Sequence, residues 1–428
     1  MRLSVVEGGF AQVFLNWTSG SVIVGYLLAL GATPTHIGLV ASVPFLAQVS
    51  SPFAAVLAER FGRRRLIAAT LATLGKFVWV LAAFLPQLGL PDVLEPTVLV
   101  LLVLVGGVFQ ASTGTVWTAW MGDVVPDKLR GRYFGLRTGV VGVVGTAANL
   151  AAGAFLDRVG APLNFQTVIL AAAVLGVIGV GLYAFHHHPP VAVSHRRPRD
   201  MFSAPLRDQN FRRFLQFGVY WHFVVLIGAP FVIPYFLEVL GMTFTQIALW
   251  MALAASTGLA TTILWGRVAD RVGNKAVLAV GTFLAGVALP GTWILAGVTG
   301  QVWIIYISAV FDAIAWGAIG PANFNLALVT APQQGRVSFI AVYSLVTGVA
   351  GFLGGVVSGP LLVWFQGFGG AAETGNWVGY YLLFALTGIG RATAWVWLRR
   401  VKETRAWRTR DMLKAIRPGW SRSGMPWR

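Results

Sequence analysis

The chain has 428 residues, 56% of them hydrophobic and only 11% charged, with a mean hydropathy of +0.72. Soluble domains carry about 25% charged residues, so a water-covered surface is excluded, and with it a soluble enzyme, a nucleic-acid-binding domain or a disordered scaffold. A net charge of +17 and no cysteine leave an integral membrane protein without disulfides, thiolate metal sites or a cysteine nucleophile.

A helix crossing a hydrocarbon layer of about 30 Å needs about 20 apolar residues. Runs of that size are predicted near 8–30, 35–58, 66–86, 97–121, 131–155, 163–185, 213–238, 244–265, 276–297, 301–329, 336–365 and 377–398. The stretch from Val98 to Phe109 is apolar throughout, without the alternation of a membrane barrel. The first run holds Asn16, Thr18 and Ser19 and lacks a small-residue cleavage site, so it reads as a retained span rather than a signal peptide.

An even number of crossings puts both termini on one side. That side receives 29 of the 32 basic residues, among them Arg60, Arg63, Arg130, Arg137, Arg271 and Arg336. Arg158 alone falls on the far side, while Lys76 and Arg391 fall inside spans. Basic loops are retained in the cytoplasm, so both termini are expected there, in a multi-pass protein of the plasma membrane (the inner membrane in a bacterium). The positive charge then attracts anionic lipid headgroups and is no footprint of nucleic acid.

The hydrophilic stretch 186–212 separates a bundle at 1–185 from one at 213–400, and a basic tail follows at 401–428. His186, His187 and His188 suit either a metal site or the start of a flexible loop; no carboxylate is arranged with them, and the loop reading is preferred. Pro205 to Phe214 is expected to form a short amphipathic helix on the membrane surface.

Two loops repeat. Ala55-Val-Leu-Ala-Glu59-Arg60-Phe-Gly62-Arg63 aligns with Gly266-Arg-Val-Ala-Asp270-Arg271-Val-Gly273-Asn274 at an offset of 211 residues. Pro126 followed by Gly131-Arg132 corresponds to Pro332 followed by Gly335-Arg336, the Gly-Arg pairs at an offset of 204. Two landmarks with nearly equal offsets indicate a duplicated six-helix unit.

These loops resemble the signature loop of the major facilitator superfamily, and the likeness extends over the whole chain. The first copy differs, with Ala55 for the usual glycine and Glu59 for the usual aspartate. The resemblance implies an all-α membrane protein of about twelve helices, in two bundles around a cavity that opens alternately to each side. It also implies that Glu59 faces the eleventh span near Arg336, that Asp270 faces the fifth near Arg130, and that Asp123 pairs with Arg60. An acid beside a helix start is favourable in itself; the alternative is that these charges merely anchor helix ends.

The family places the first, fourth, seventh and tenth spans around the cavity. Their polar and aromatic residues are the lining candidates: Asn16, Thr18, Ser19, Gln110, Thr113, Trp117, Tyr220, His222, Asp312, Trp316, Asn323 and Asn325. Helix breaks are expected at Gly228-Ala-Pro230 with Pro234, and at Gly317 with Gly320-Pro321. Asp312 reads as the one acid deep in a lining span, with Glu7 and Asp123 nearer the cytoplasmic ends. Asp312 and His222 are the candidates for proton coupling or substrate contact, and Asp312 is preferred as a proton-exchanging group over a partner for a cationic substrate or for Arg391. Lys76 and Arg391 suit snorkelling or interior pairing equally.

The expected function is secondary transport of a small organic solute, an uncharged or cationic amphiphile or else a sugar, coupled to protons, by a monomer without cofactor or metal. Gly107 three residues before Gln110, where many proton-coupled members have arginine, and the missing Gly-Pro signature in the fifth span weigh against a multidrug antiporter. A transporter-shaped sensor is the alternative. A membrane enzyme is disfavoured, since neither a catalytic constellation nor a phosphate-cradling loop is found.

Overall fold

The computed structural model describes residues 2–125, 130–186, 205–332, 336–369 and 375–403. The first half holds α1 (Arg2–Trp17), α2 (Gly20–Ala29), α3 (Pro34–Ala47), α4 (Ser51–Phe61), α5 (Arg64–Ala83), α6 (Glu95–Val124), α7 (Arg130–Leu156) and α8 (Leu163–Gly181). The second holds α9 (Gln209–Gly228), α10 (Phe244–Val272), α11 (Asn274–Thr299), α12 (Trp303–Thr330), α13 (Arg336–Gln366) and α14 (Gly375–Thr393). Eleven segments among the described residues are long and apolar enough to cross a membrane.

The first run expected from the sequence, α1 with α2, is not among them. It is interrupted where the Thr18 and Ser19 hydroxyls donate back to the Phe14 and Leu15 carbonyls, a local bond that competes with helix continuation. The second crossing is similarly composite, α3 leading through a single tight turn into α4. Beyond α9, the chain tightens at Ala229–Phe231 and widens into a π-helical stretch at Tyr235–Val239, so the expected break there is present. The break expected at Gly320-Pro321 is not: α12 continues through both. Proline at 321 forfeits one bond, to the carbonyl four residues back, and that residue is the slim Gly317.

The amphipathic surface helix expected at Pro205–Phe214 is also corrected. Asp208 caps α9, its carboxylate accepting from the Phe211 amide at 2.7 Å. Phe211 and Phe214 are already fully buried in the second half. Apolar residues that look like a membrane-facing stripe in the sequence are the first turn of a crossing.

Aromatic residues anchor each half within one buried cluster that runs through both. In the first, Tyr26 stacks on Phe165 and donates to the Ala82 carbonyl. In the second, Tyr235, Trp293 and Phe384 interlock, and Tyr235 donates to the Trp293 carbonyl. The halves meet along two seams, α7 against α10 and α3 against α13.

Candidate functional site

The seams differ between the two faces of the molecule. On the face away from the termini they are shut. The Asp157 carboxylate, just beyond α7, accepts the Phe244 and Thr245 amides at 2.8 and 2.9 Å, so an acid of one half caps α10 of the other. Gly153 makes that approach feasible: a Cβ there would stand 2.8 Å from the Phe244 carbonyl oxygen. On the second seam a Cβ on Gly38 would stand 2.5 Å from the Gly355 carbonyl oxygen. Free amides at a helix start carry partial positive charge, so the Asp157 contact is both a cap and a charge–dipole attraction.

Toward the face of the termini the α7–α10 seam parts. Gly139 and Gly142 of α7, and Gly258 and Gly266 of α10, have no described atom within 4 Å of where a Cβ would sit. The two repeated loops lie at this face. Gly62 and Gly273 take φ values of +62° and +94° there, which explains glycine in both copies. Arg60, Arg63, Asp270 and Arg271 are exposed. The side chains of Glu59, Asp123, Arg130 and Arg336, the other gate candidates, lie outside the described residues.

Between the faces sit two cavities that share Ala255 of α10. The larger, about 540 Å³, is walled by α10 residues such as Leu259 and Ile263 and by Asp312, Trp316 and Gly317 of α12. Asp312 and Trp316 are one helical turn apart, with the indole beside the carboxylate. Arg391, the nearby positive charge, is buried in α14 and donates to the Val225 carbonyl at 3.3 Å, without closing an ion pair to Asp312. The smaller cavity, about 200 Å³, is polar on its first-half side, where Gln12, Asn16, Thr146 and Asn149 line it. Gln12 donates to Asn16, which donates to the Gly145 carbonyl.

The other candidates are scattered. His222 hydrogen-bonds the Gly218 carbonyl and packs edge-on against Phe45 of the first half and Tyr343. Tyr343 donates to Asn323 at 2.9 Å, so His222, Asn323 and the unforeseen Tyr343 form one cluster at the α3 seam. Tyr220 faces elsewhere, its hydroxyl on Thr393 and its ring by Trp397 at the last helices. Thr113 is buried with its hydroxyl unpartnered, Gln110 is half-buried and Asn325 is exposed. His186 bonds the Leu182 carbonyl and packs on Trp120 and Tyr183, and burial lowers its basicity. His187 and His188 lie outside the described residues.

Two charged groups differ from expectation. Arg137 is no loop charge: it reaches from α7 to Glu7 of α1, Nη2 to Oε2 3.7 Å, and lies 4.3 Å over the Trp117 ring. Glu7, expected near water, is 3% exposed. Lys76 is buried with its ammonium 3.8 Å over the Phe14 ring, and Arg391 is 2% exposed, so both stay inside rather than snorkel.

Two helical halves around a cavity shut at one end and open at the other define a membrane transporter of the alternating kind. The Major Facilitator Superfamily model matches residues 8–355 and, again, 229–422. The chain belongs to the Major Facilitator Superfamily. It is 26% identical to the class H tetracycline resistance protein of Pasteurella multocida over 346 residues, 77% of this chain and 79% of that one. Among solved structures it is similar to a bacterial homologue of the human lysosomal transporter Spinster, inward-facing and occupied (TM-score 0.72, 16% identity, 95% of this chain and 98% of that). It is also similar to the nucleoside transporter NupG (0.70, 14%, 94% and 100%). The inward-open xylose transporter XylE of E. coli matches as well (0.67, 15%, 96% and 98%).

Proposed function

We propose that the chain is a proton-coupled transporter of an amphiphilic, uncharged or cationic, organic solute, with both termini cytoplasmic and the open face turned to the cytoplasm. The observation that carries this reading is the larger cavity: apolar walls from α10, one carboxylate, Asp312, and one indole, Trp316, a turn away. A sparsely polar cavity suits an amphiphile, and a single desolvated acid within it favours whatever neutralises it, a proton or a substrate cation. Arg391 stays outside ion-pair range and occupied with a backbone carbonyl, which leaves the acid available. The likeness to a tetracycline resistance protein supports an amphiphile and supports export, the direction that protects a cell.

Alternation is assigned to the two faces. Asp157 holds the far face shut, and Asp270 and Glu59 hold the other when it closes. Each contact biases a two-state equilibrium by its difference between states. Asp312→Asn reconstituted in liposomes tests the reading: gradient-driven transport is expected to be lost while substrate exchange survives. Full gradient-driven transport by the variant contradicts it. Reporter fusions within 187–204 and after 403 are expected to be cytoplasmic, and one within 89–94 extracytoplasmic.

A further inference from the structure

The first half contains an acid, an indole and a phenol around a guanidinium supplied by the chain itself. The Glu7 side chain is 4% exposed, and its Oε2 accepts no hydrogen bond. The Arg137 guanidinium approaches that oxygen only to 3.7 Å, beyond the roughly 2.7–2.9 Å of a tight charge-assisted bond. Arg137 covers the Trp117 ring, while Trp117 Nε1 is buried without a partner. The Trp117 indole N–H and the Tyr183 hydroxyl both turn to the carboxylate, neither closing a bond to Oε2, and Lys76 of α5 adds a second positive field there. Arg137 is held otherwise by one bond, Nε to the Ser4 carbonyl at 3.3 Å. Gly8 leaves it room, since a Cβ there would stand 2.7 Å from Nη2.

A buried ion pair offsets the desolvation of both charges only when its geometry is good and the remaining lone pairs are satisfied. This pair meets neither condition. The carboxylate and the indole face that surround the guanidinium are the two features that bind a cation of delocalised charge. Glu7 and Arg137 each stand five residues before a residue of the smaller cavity, Gln12 on α1 and Gly142 on α7, about 7.5 Å along a helix.

We infer that Glu7, Trp117 and Tyr183 form a second cation site, in which Arg137 is a resident stand-in that a flat organic cation displaces. The ligand class is a guanidinium, an amidinium or an aromatic iminium of the smaller cavity's width. The inference rests on the reading that the chain transports amphiphiles that include cations, and it adds where a cation binds in the first half. Displacement also frees Arg137, which returns to the carboxylate when the site empties again.

The experiment is binding of ethidium, a flat aromatic cation, to the purified full-length protein at pH 8, with uncharged Nile red as the probe of correct folding. Arg137→Ala, and Arg137→Gln as the variant that retains a bond to the Ser4 carbonyl, are each expected to tighten ethidium at least fivefold by removing the competitor. Glu7→Gln is expected to weaken it at least tenfold and to abolish the gain in the double variant, with Nile red unchanged throughout. If both Arg137 variants weaken ethidium, if neither they nor the wild type bind it, or if the double variant binds as tightly as Arg137→Ala, the inference is overturned. Asp312→Asn separates the two readings. Should the Asp312 transport assay succeed while the Glu7 and Arg137 variants bind ethidium like wild type, the second site falls and the transporter reading stands.

Discussion

Asp157 and Glu403 perform the same chemistry in two regions with different consequences. Glu403 accepts the Asn274 and Lys275 amides at 3.1 and 2.8 Å, capping α11 from the chain that follows α14, within one half. Asp157 caps α10 from the other half. The first cap persists in every arrangement of the halves and contributes to stability alone. The second exists only while the far face is shut, so its free energy enters the equilibrium between states. Where a cap's partner resides, and not its strength, decides whether it is structural or a gate.

The largest effect is expected from steric wedges at the shut seam. Gly153→Phe or Gly38→Phe places a ring where even a Cβ meets the other half's backbone at 2.8 or 2.5 Å. Far-face closure should fail and transport should fall at least about tenfold, since overpacking of this kind costs roughly 1–3 kcal/mol or more. Flux in liposomes checks it, and unaltered transport would show that the seam is not tight. Asp157→Ala comes next. Loss of a cap costs about 0.5–2 kcal/mol, which moves a two-state ratio by roughly 2- to 30-fold toward far-face opening. Asp270→Asn should act in the opposite sense and less, roughly 0.3–2 kcal/mol. Asp270 is exposed in the open-face arrangement and contributes only when that face closes. The chain has no cysteine, so single introduced cysteines can report vestibule labelling for both. Glu403→Gln should lower thermal stability by about 0.5–2 kcal/mol with no change in labelling at either face. A labelling change would erase the distinction between the two caps.

Much of the scaffold is legible in the sequence alone. Continuous apolar runs locate the crossings, and the repeated loops locate the duplication, because both are local patterns. What escapes is long-range. Arg137 stands seven residues past Arg130 and reads as the tail of a basic loop; only its packing against Gly8 and Glu7, some 130 residues earlier, makes it interior. Tyr220 takes its partners, Thr393 and Trp397, from more than 170 residues later, which periodicity within α9 cannot name. Asp157 carries a local signal in an unexpected place. Asp157-Arg158-Val159-Gly160 repeats Asp270-Arg271-Val272-Gly273 residue for residue. Positioned at the face with almost no basic residues, it reads as a loop, when it is the same acid-at-a-turn device applied to the opposite gate.

The central claim is that the two faces are reciprocal. Spin-label distances across both faces test it most directly, with one pair joining the 158–162 and 240–243 loops and another joining the Arg63 and Arg336 regions, in lipid. For Asp157→Ala the account predicts that the far-face distance lengthens while the distance at the termini shortens, in the same fraction of molecules. Lengthening at the far face with no change at the other would contradict it.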